Sequence, residues 1–144
     1  MEQLIQQLKV ILATNFALYL KTHNFHWNIE GKDFPQYHSF LDGLYNSIWE
    51  QTDDIAEHLR KLDAYAPGSL SRFRELADIQ DSTNIPQALS MFAELKNDND
   101  RYIIHLRAGI VAADQAGEPA VSNFLQDLLG KHQKHAWMLR SIIK

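Results

Sequence analysis

The sequence predicts an all-α protein: a bundle of four long helices, with a short helix in the crossover between the second and the third. The 4 prolines, three of them close to Gly31, Gly68 or Gly117, mark breaks in the chain, and proline is tolerated in the first turn of a helix but not in its interior. The stretches between the breaks, at roughly 2–29, 35–63, 86–116 and 119–143, therefore predict helices of about 40–45 Å. No alternating run is long enough to favour a sheet.

Hydrophobic residues within these stretches recur at spacings of three and four, which is typical of helices with one buried face. The stripe in the second stretch has one gap, at Thr52. The connection over 64–85 predicts a short helix at 70–77 and a turn-rich run at 81–84. The two clearest stripes are Phe34, Tyr37, Leu41, Leu44, Ile48, Ile55, Leu59 and Leu62 in the second stretch, and Phe124, Leu128, Leu129, Ala136, Leu139 and Ile143 in the fourth.

Length and composition narrow the class of protein. The 144 residues are expected to form a single domain, 1–144, at the usual ~100–200 residues per domain. Because there is no cysteine, a disulfide scaffold, a thiolate zinc site, an iron–sulfur cluster and a cysteine nucleophile are excluded. The 14 basic and 18 acidic residues give a net charge of −4, which argues against a dedicated nucleic-acid-binding face. We expect no membrane span, and since no signal peptide is visible, we expect a cytoplasmic location.

Four potential metal ligands lie on the second predicted helix, in two pairs: His38 with Asp42, and Asp53 with Glu57. Residues four apart are neighbours on a helix, so each pair can converge on one ion. All four fall within an arc of about 100° beside the apolar stripe, where polar groups are costly unless something pairs with them. Each pair is also compatible with exposed, solvated side chains, and the spacing alone leaves both interpretations open.

The two pairs are symmetric about a midpoint beside Ser47. Asp42 and Asp53 are separated by ~16 Å along a helix, so the two pairs of one chain cannot share an ion at ligand distances of ~2 Å. Two copies of the helix, crossed antiparallel at the midpoint, would bring His38 and Asp42 of one copy beside Asp53 and Glu57 of the other. Such an isologous interface predicts two equivalent sites per dimer. The residues small enough to permit close approach are Gly43, Asn46 and Ser47.

A fifth ligand follows from the hairpin between the first two helices. His26 and His38 are equally far from Lys32 in the turn, so an antiparallel helix pair places them at the same height. Two imidazoles and three carboxylates without sulfur suit Fe(II), Mn(II) or Zn(II). The Glu-x-x-His pair that builds a metal centre inside a single bundle is absent. The sequence therefore favours a site between chains.

These ligands belong to a longer pattern that resembles the Dps family of miniferritins. The resemblance covers essentially the whole chain, and the C-terminal stretch 132–140 is similar to the last helix of the family. The matching residues are Thr22, His23, Asn24, Phe25, His26, Trp27 and Asn28, then Gly31, Phe34, His38 and Asp42, then Asp53, Asp54, Ile55, Ala56 and Glu57.

The resemblance implies a ferritin-like bundle assembled into a hollow dodecamer, with the crossover helix at the dimer interface. It implies ferroxidase centres to which one chain contributes His26, His38 and Asp42 and its two-fold partner contributes Asp53 and Glu57. Each centre would take one or two iron ions, Fe(II) before and Fe(III) after oxidation, with zinc as a substitute. Family members oxidise Fe(II), preferentially with hydrogen peroxide rather than dioxygen, store the Fe(III) mineral inside, and so protect against oxidative stress.

Other residues have roles only through the resemblance. Trp27 resembles the aromatic residue beside the family's centre, where it would act in catalysis as an electron donor; a tryptophan of the core is the alternative. Iron enters relatives through acidic pores at three-fold axes, for which Asp114, Glu118 and Asp127 are candidates. Asn123 stands where relatives have an acid, which weakens that assignment. His23 is an auxiliary ligand or, as we favour, a surface or interface histidine like His58; no function is assigned to His105, His132 and His135.

DNA binding is the alternative function within the family. Many relatives bind DNA through a tail rich in Lys and Arg, and no such tail is expected here. Twelve copies at −4 each would carry a net charge of about −48, and DNA binding depends on clustered cations. We therefore expect chemical protection without direct DNA binding, rather than a nucleoid-compacting, DNA-binding shell. A third hypothesis is a zinc- or manganese-binding assembly without ferroxidase turnover.

Overall fold

The computed structural model describes all 144 residues, which form five helices and no strand. Four helices are long, and the short third helix lies in the crossover, which confirms the predicted all-α bundle. None of the helices has an apolar stretch long enough to cross a membrane. The helices are α1 (Glu2–Asn28), α2 (Phe34–Lys61), α3 (Leu70–Leu76), α4 (Ala88–Ala116) and α5 (Pro119–Ile143).

Local chemistry accounts for the starts of α2, α3 and α5. Pro35 and Pro119 lie in the first turns of α2 and α5, where a missing N–H has no helical partner to lose. The predicted start of α4 at Pro86 is wrong by two residues, because Gln87 is the N-cap residue. The short helix α3 begins after Ser69, whose side chain accepts a hydrogen bond from a backbone N–H of the first turn, as N-cap serines do.

The hydrophobic core is a single cluster of 23 buried residues. Helix α1 packs against α2, α3 and α4, and α4 packs against α5, whereas α2 and α5 touch little. A Cβ at Gly109 would lie 2.8 Å from Ile11 Cδ1 and 2.9 Å from Leu125 Cδ1, so glycine lets α4 approach both neighbours. The predicted α2 stripe is confirmed except at Phe34, which is 39% exposed. At the gap in this stripe, at Thr52, the neighbouring Gln51 is the buried residue.

Candidate metal centre

His26 near the end of α1 and His38 near the start of α2 form a reciprocal pair. Nδ1 of His26 donates to the backbone carbonyl of His38 at 2.9 Å, and Nδ1 of His38 donates to the carbonyl of His26 at 2.8 Å. The rings are stacked, with centroids 3.8 Å apart. Because a carbonyl only accepts hydrogen bonds, each Nδ1 carries a proton, and the neutral tautomer with this proton has its lone pair on Nε2. In metal-binding histidines, a hydrogen bond at the other ring nitrogen fixes the tautomer in this way.

Asp42 is exposed on α2, one turn beyond His38. Its carboxylate lies beside Tyr45, and burial together with this neighbouring charge raises the pKa of Tyr45. Within one chain, however, no three His, Asp or Glu side chains are close enough together to hold a metal ion. The structure thus brings the two histidines together, and one chain alone does not complete a centre.

Asp53 and Glu57 are exposed on α2, one turn apart. Neither takes part in an ion pair or a side-chain hydrogen bond within the chain. The same continuous helix carries His38 and Asp42, so Asp42 and Asp53 are separated by ~16 Å along it. Both carboxylates are available to a group from outside the chain, and their pairing with a second subunit stays a prediction.

Three small residues were proposed for the crossing, and because they are spaced three and four apart they lie on one side of α2. Gly43 and Ser47 line a groove beside α5, and Ser47 Oγ lies 3.4 Å from Nε2 of His135. Asn46 is exposed and donates to the backbone carbonyl of Asp42. Trp49, which the spacing argument did not include, is 49% exposed. The crossing of two α2 helices at this surface stays a prediction.

Trp27 is 59% exposed, so the alternative that it belongs to the core is wrong. Its ring centroid lies 4.0 Å from that of His23. His23 also stacks on Tyr45 at 3.8 Å, and its Nδ1 lies 2.8 Å from the hydroxyl of Tyr19. Burial and the neighbouring His26 lower the pKa of His23. Sequence reasoning missed this group, although the four-residue spacing of Tyr19 and His23 was a signal for it.

The remaining histidines have partners of other kinds. His58 donates from Nδ1 to the carbonyl of Asp54 at 2.7 Å and stacks on Phe124. His105 lies 2.8 Å from Asp78. His132 and His135 are buried between α2, α4 and α5. The candidate pore acids Asp114, Glu118 and Asp127 lie near the α4–α5 turn, and their role stays a prediction.

Comparison with known proteins identifies the family. A model of the ferritin-like domain matches residues 5–144. The chain is 30% identical over 149 residues to the DNA protection during starvation protein of Brevibacillus brevis, covering 100% of both chains. The chain belongs to the Dps family of miniferritins. This membership confirms the resemblance derived from the ligand pattern.

Solved structures agree with membership of the Dps family. Antigen TpF1 from Treponema pallidum matches with a TM-score of 0.94 and 32% identity, over 98% of this chain and 91% of that one. The Dps protein from Vibrio cholerae O1, described as a member of a broad superfamily of ferritin-like diiron-carboxylate proteins, matches with a TM-score of 0.95 and 26% identity, over 99% of this chain and 90% of that one. The ferritin-like form of the four-helix bundle is thereby confirmed.

Proposed function

We propose that this protein oxidises Fe(II) at centres shared between two-fold-related subunits and stores the Fe(III) as mineral inside a hollow dodecamer. The observation that carries the proposal is the His26–His38 pair. Both rings are held by carbonyl bonds at Nδ1, so both present Nε2 as a metal-binding lone pair. Membership of the Dps family supports iron as the metal.

The donor set fits an iron substrate. His26, His38 and Asp42 of one subunit would bind it together with Asp53 and Glu57 of the two-fold partner. Neutral imidazoles and carboxylates bind Fe(II) well, although zinc is also accepted by such a set. Asp53 and Glu57 lack internal partners, so binding iron breaks no ion pair of the chain.

The reaction consumes both partners of hydroxyl-radical chemistry. Two Fe(II), one hydrogen peroxide and two protons give two Fe(III) and two waters, so electrons and charge balance. Dioxygen is the slower alternative oxidant in this proposal. Trp27, which is exposed and has its ring centroid 4.0 Å from that of His23, is proposed as an electron donor during peroxide reduction. Removal of Fe(II) and peroxide protects DNA without contact with it, and we place this chemistry in the cytoplasm.

The first test is Fe(II) oxidation by peroxide, followed by absorbance, in the wild type and in a His38→Ala/Asp53→Ala double variant. We expect rapid oxidation with iron retained in soluble shells for the wild type, and the rate of buffer alone for the variant. A wild type no faster than buffer would contradict ferroxidase function, and zinc binding at the two-fold interface would be examined next.

Subunit mixing tests whether the centres are shared. His38→Ala and Asp53→Ala are made as separate proteins, unfolded together and reassembled in equal amounts. In a mixed dimer one site receives both lesions and the other receives none. Random pairing makes half of the dimers mixed, so about a quarter of wild-type activity should return. Ligands from a single chain would give no recovery.

A gel shift at low salt separates this function from a DNA-binding shell. With a net charge of −4 per chain, we expect no retardation of duplex DNA, since clustered cations are required. Retardation that disappears as salt is raised would support the shell that compacts DNA.

A further inference from the structure

Helices α2 and α5 touch little, and polar side chains lie between them. Ser47 Oγ on α2 lies 3.4 Å from Nε2 of His135 on α5. The amide oxygen of Gln51 lies 3.0 Å from Nε2 of His132. Ser47 and Gln51 are one turn apart on α2, and His132 and His135 are one turn apart on α5, so these two contacts are neighbours. We call the place formed by these four residues the α2–α5 seam.

Two polar atoms of the α2–α5 seam have no hydrogen-bond partner in the chain, namely Nε2 of Gln51 and Nδ1 of His135. Both atoms are buried, and the two residues are only 3% and 9% exposed. Buried polar groups in native proteins almost always have a partner, either a protein atom or an ordered water. Because the seam lies inside one bundle, a side chain of another subunit cannot supply it.

The two unpartnered atoms lie around the same imidazole. The amide of Gln51 contacts His132, and the ring centroids of His132 and His135 are 4.9 Å apart. One small molecule beside His132 is therefore in a position to meet both atoms. It would join α2 to α5 at a place where few side chains touch directly.

The chemistry of the α2–α5 seam favours a neutral ligand. Burial lowers the pKa of His132 well below its ordinary value and that of His135 to about 4, so both rings are neutral near pH 7. No three His, Asp or Glu side chains are close enough together to hold a metal ion, and a buried charge without a partner is costly. Water both donates and accepts, so it suits either tautomer of His135 and either end of the Gln51 amide.

A route for water leads to the seam from the surface. Ser47 and His135 line a groove of about 440 Å³ between α2 and α5. Lys131 and Lys134 line the same groove and are exposed, so solvent enters it. The contact between Ser47 and His135 is thus the outer one, and Gln51 lies one turn further along α2.

We propose that the α2–α5 seam binds an internal water molecule that bridges the amide of Gln51 and Nδ1 of His135. Proteins hold about one buried water per 27 residues, usually where it makes two to four hydrogen bonds. Helix α2 also carries four of the five candidate iron ligands, so this bridge fixes the ligand-bearing helix against α5. The bridge does not depend on whether iron is oxidised.

The main test is a high-resolution crystal structure of the assembled wild-type protein. We expect a peak of electron density about 2.7–3.2 Å from both the Gln51 amide and Nδ1 of His135. A direct hydrogen bond between Gln51 and His135 without such a peak would overturn the proposal. A peak with the anomalous scattering of a metal ion would overturn it as well.

A second measurement counts internal waters in solution by magnetic relaxation dispersion of the water nuclei. We expect Gln51→Met to lose one long-lived water per subunit, because a thioether is only a weak acceptor. Gln7→Met is the matched control, since the amide of Gln7 already contacts Nδ1 and the backbone carbonyl of His105, at 3.1 and 3.2 Å, and its count should not change.

Circular dichroism checks that both variants fold, and the wild-type crystal structure decides the question if Gln51→Met does not. Equal counts in the wild type and Gln51→Met, or the same loss in Gln7→Met, would contradict a water at the α2–α5 seam.

Discussion

Two pairs of histidines in this molecule have opposite surroundings. In the pair formed by His26 and His38, each Nδ1 is bonded to a carbonyl and each Nε2 has no partner in the chain. His132, by contrast, is fully buried beside His135. Its Nδ1 donates to Asn99 Oδ1 at 2.7 Å, and its Nε2 lies 3.0 Å from the amide of Gln51. His26 and His38 each have a ring nitrogen left for a ligand, whereas both ring nitrogens of His132 are used in hydrogen bonds within the chain.

Burial also sets the charge of His132 and His135. It lowers the pKa of His132 well below its ordinary value, and burial, followed by the nearby Lys134 and Lys131, lowers the pKa of His135 to about 4. Both rings are neutral near pH 7. The comparison teaches that neither the residue type nor the helical spacing decides whether a histidine binds a ligand; the partners of its two nitrogens do.

The largest expected effect comes from removing a histidine of the pair formed by His26 and His38. His38→Ala should reduce the initial rate of peroxide-dependent Fe(II) oxidation by about 100-fold or more, since loss of even a supporting group costs metal sites about 10–100-fold. The free energy of unfolding, measured by chemical denaturation, should fall by only about 1 kcal/mol, which is the usual net contribution of one hydrogen bond. An unfolded His38→Ala protein would contradict the division between the two pairs.

Removing His132 should lower stability and leave the rate of Fe(II) oxidation unchanged. His132→Ala leaves a cavity and strands the buried side chains of Asn99 and Gln51, which should cost about 3 kcal/mol of unfolding free energy. Urea unfolding measures this loss. Shells that remain assembled should still oxidise Fe(II) at the wild-type rate per folded subunit, and a selective loss of that rate would assign His132 to the reaction.

The buried His135 should also make the stability of the protein depend on pH. Because the pKa of His135 is about 4 in the folded chain and ~6.5 when unfolded, the unfolded state binds more protons between these values. The contribution of neutral His135 to the free energy of unfolding is therefore complete above pH ~6.5 and is lost as the pH falls towards 4. Between pH 7 and pH 5.5 the loss should be about 1 kcal/mol.

The variant that checks this pH effect is His135→Gln, compared with the wild type by urea unfolding at both pH values. The variant should lose less stability on acidification. His58→Gln serves as the control, because His58 bonds only to a carbonyl of its own helix. An equal effect of both substitutions would show that His135 is not the titrating group.

Local patterns were enough to predict much of the fold. A proline restricts the backbone only within a few residues of itself, so the helices were predicted within about two residues of their observed ends. The height of His26 relative to His38 also followed from counting across a short turn, and the structure confirms that these two meet. Phe34 was misplaced because periodicity cannot tell a core residue from one that extends the stripe onto the surface.

The sequence by itself determined the class of fold, the family and the spacing of the five candidate ligands, because these depend on helical periodicity and on counting along the chain. Only the tertiary structure decided which histidines keep a free nitrogen. The bonds from Asn99 to His132 and from Ser47 to His135 join residues 33 and 88 apart in sequence. Such contacts depend on how helices rotate and pack against each other, which no local pattern specifies.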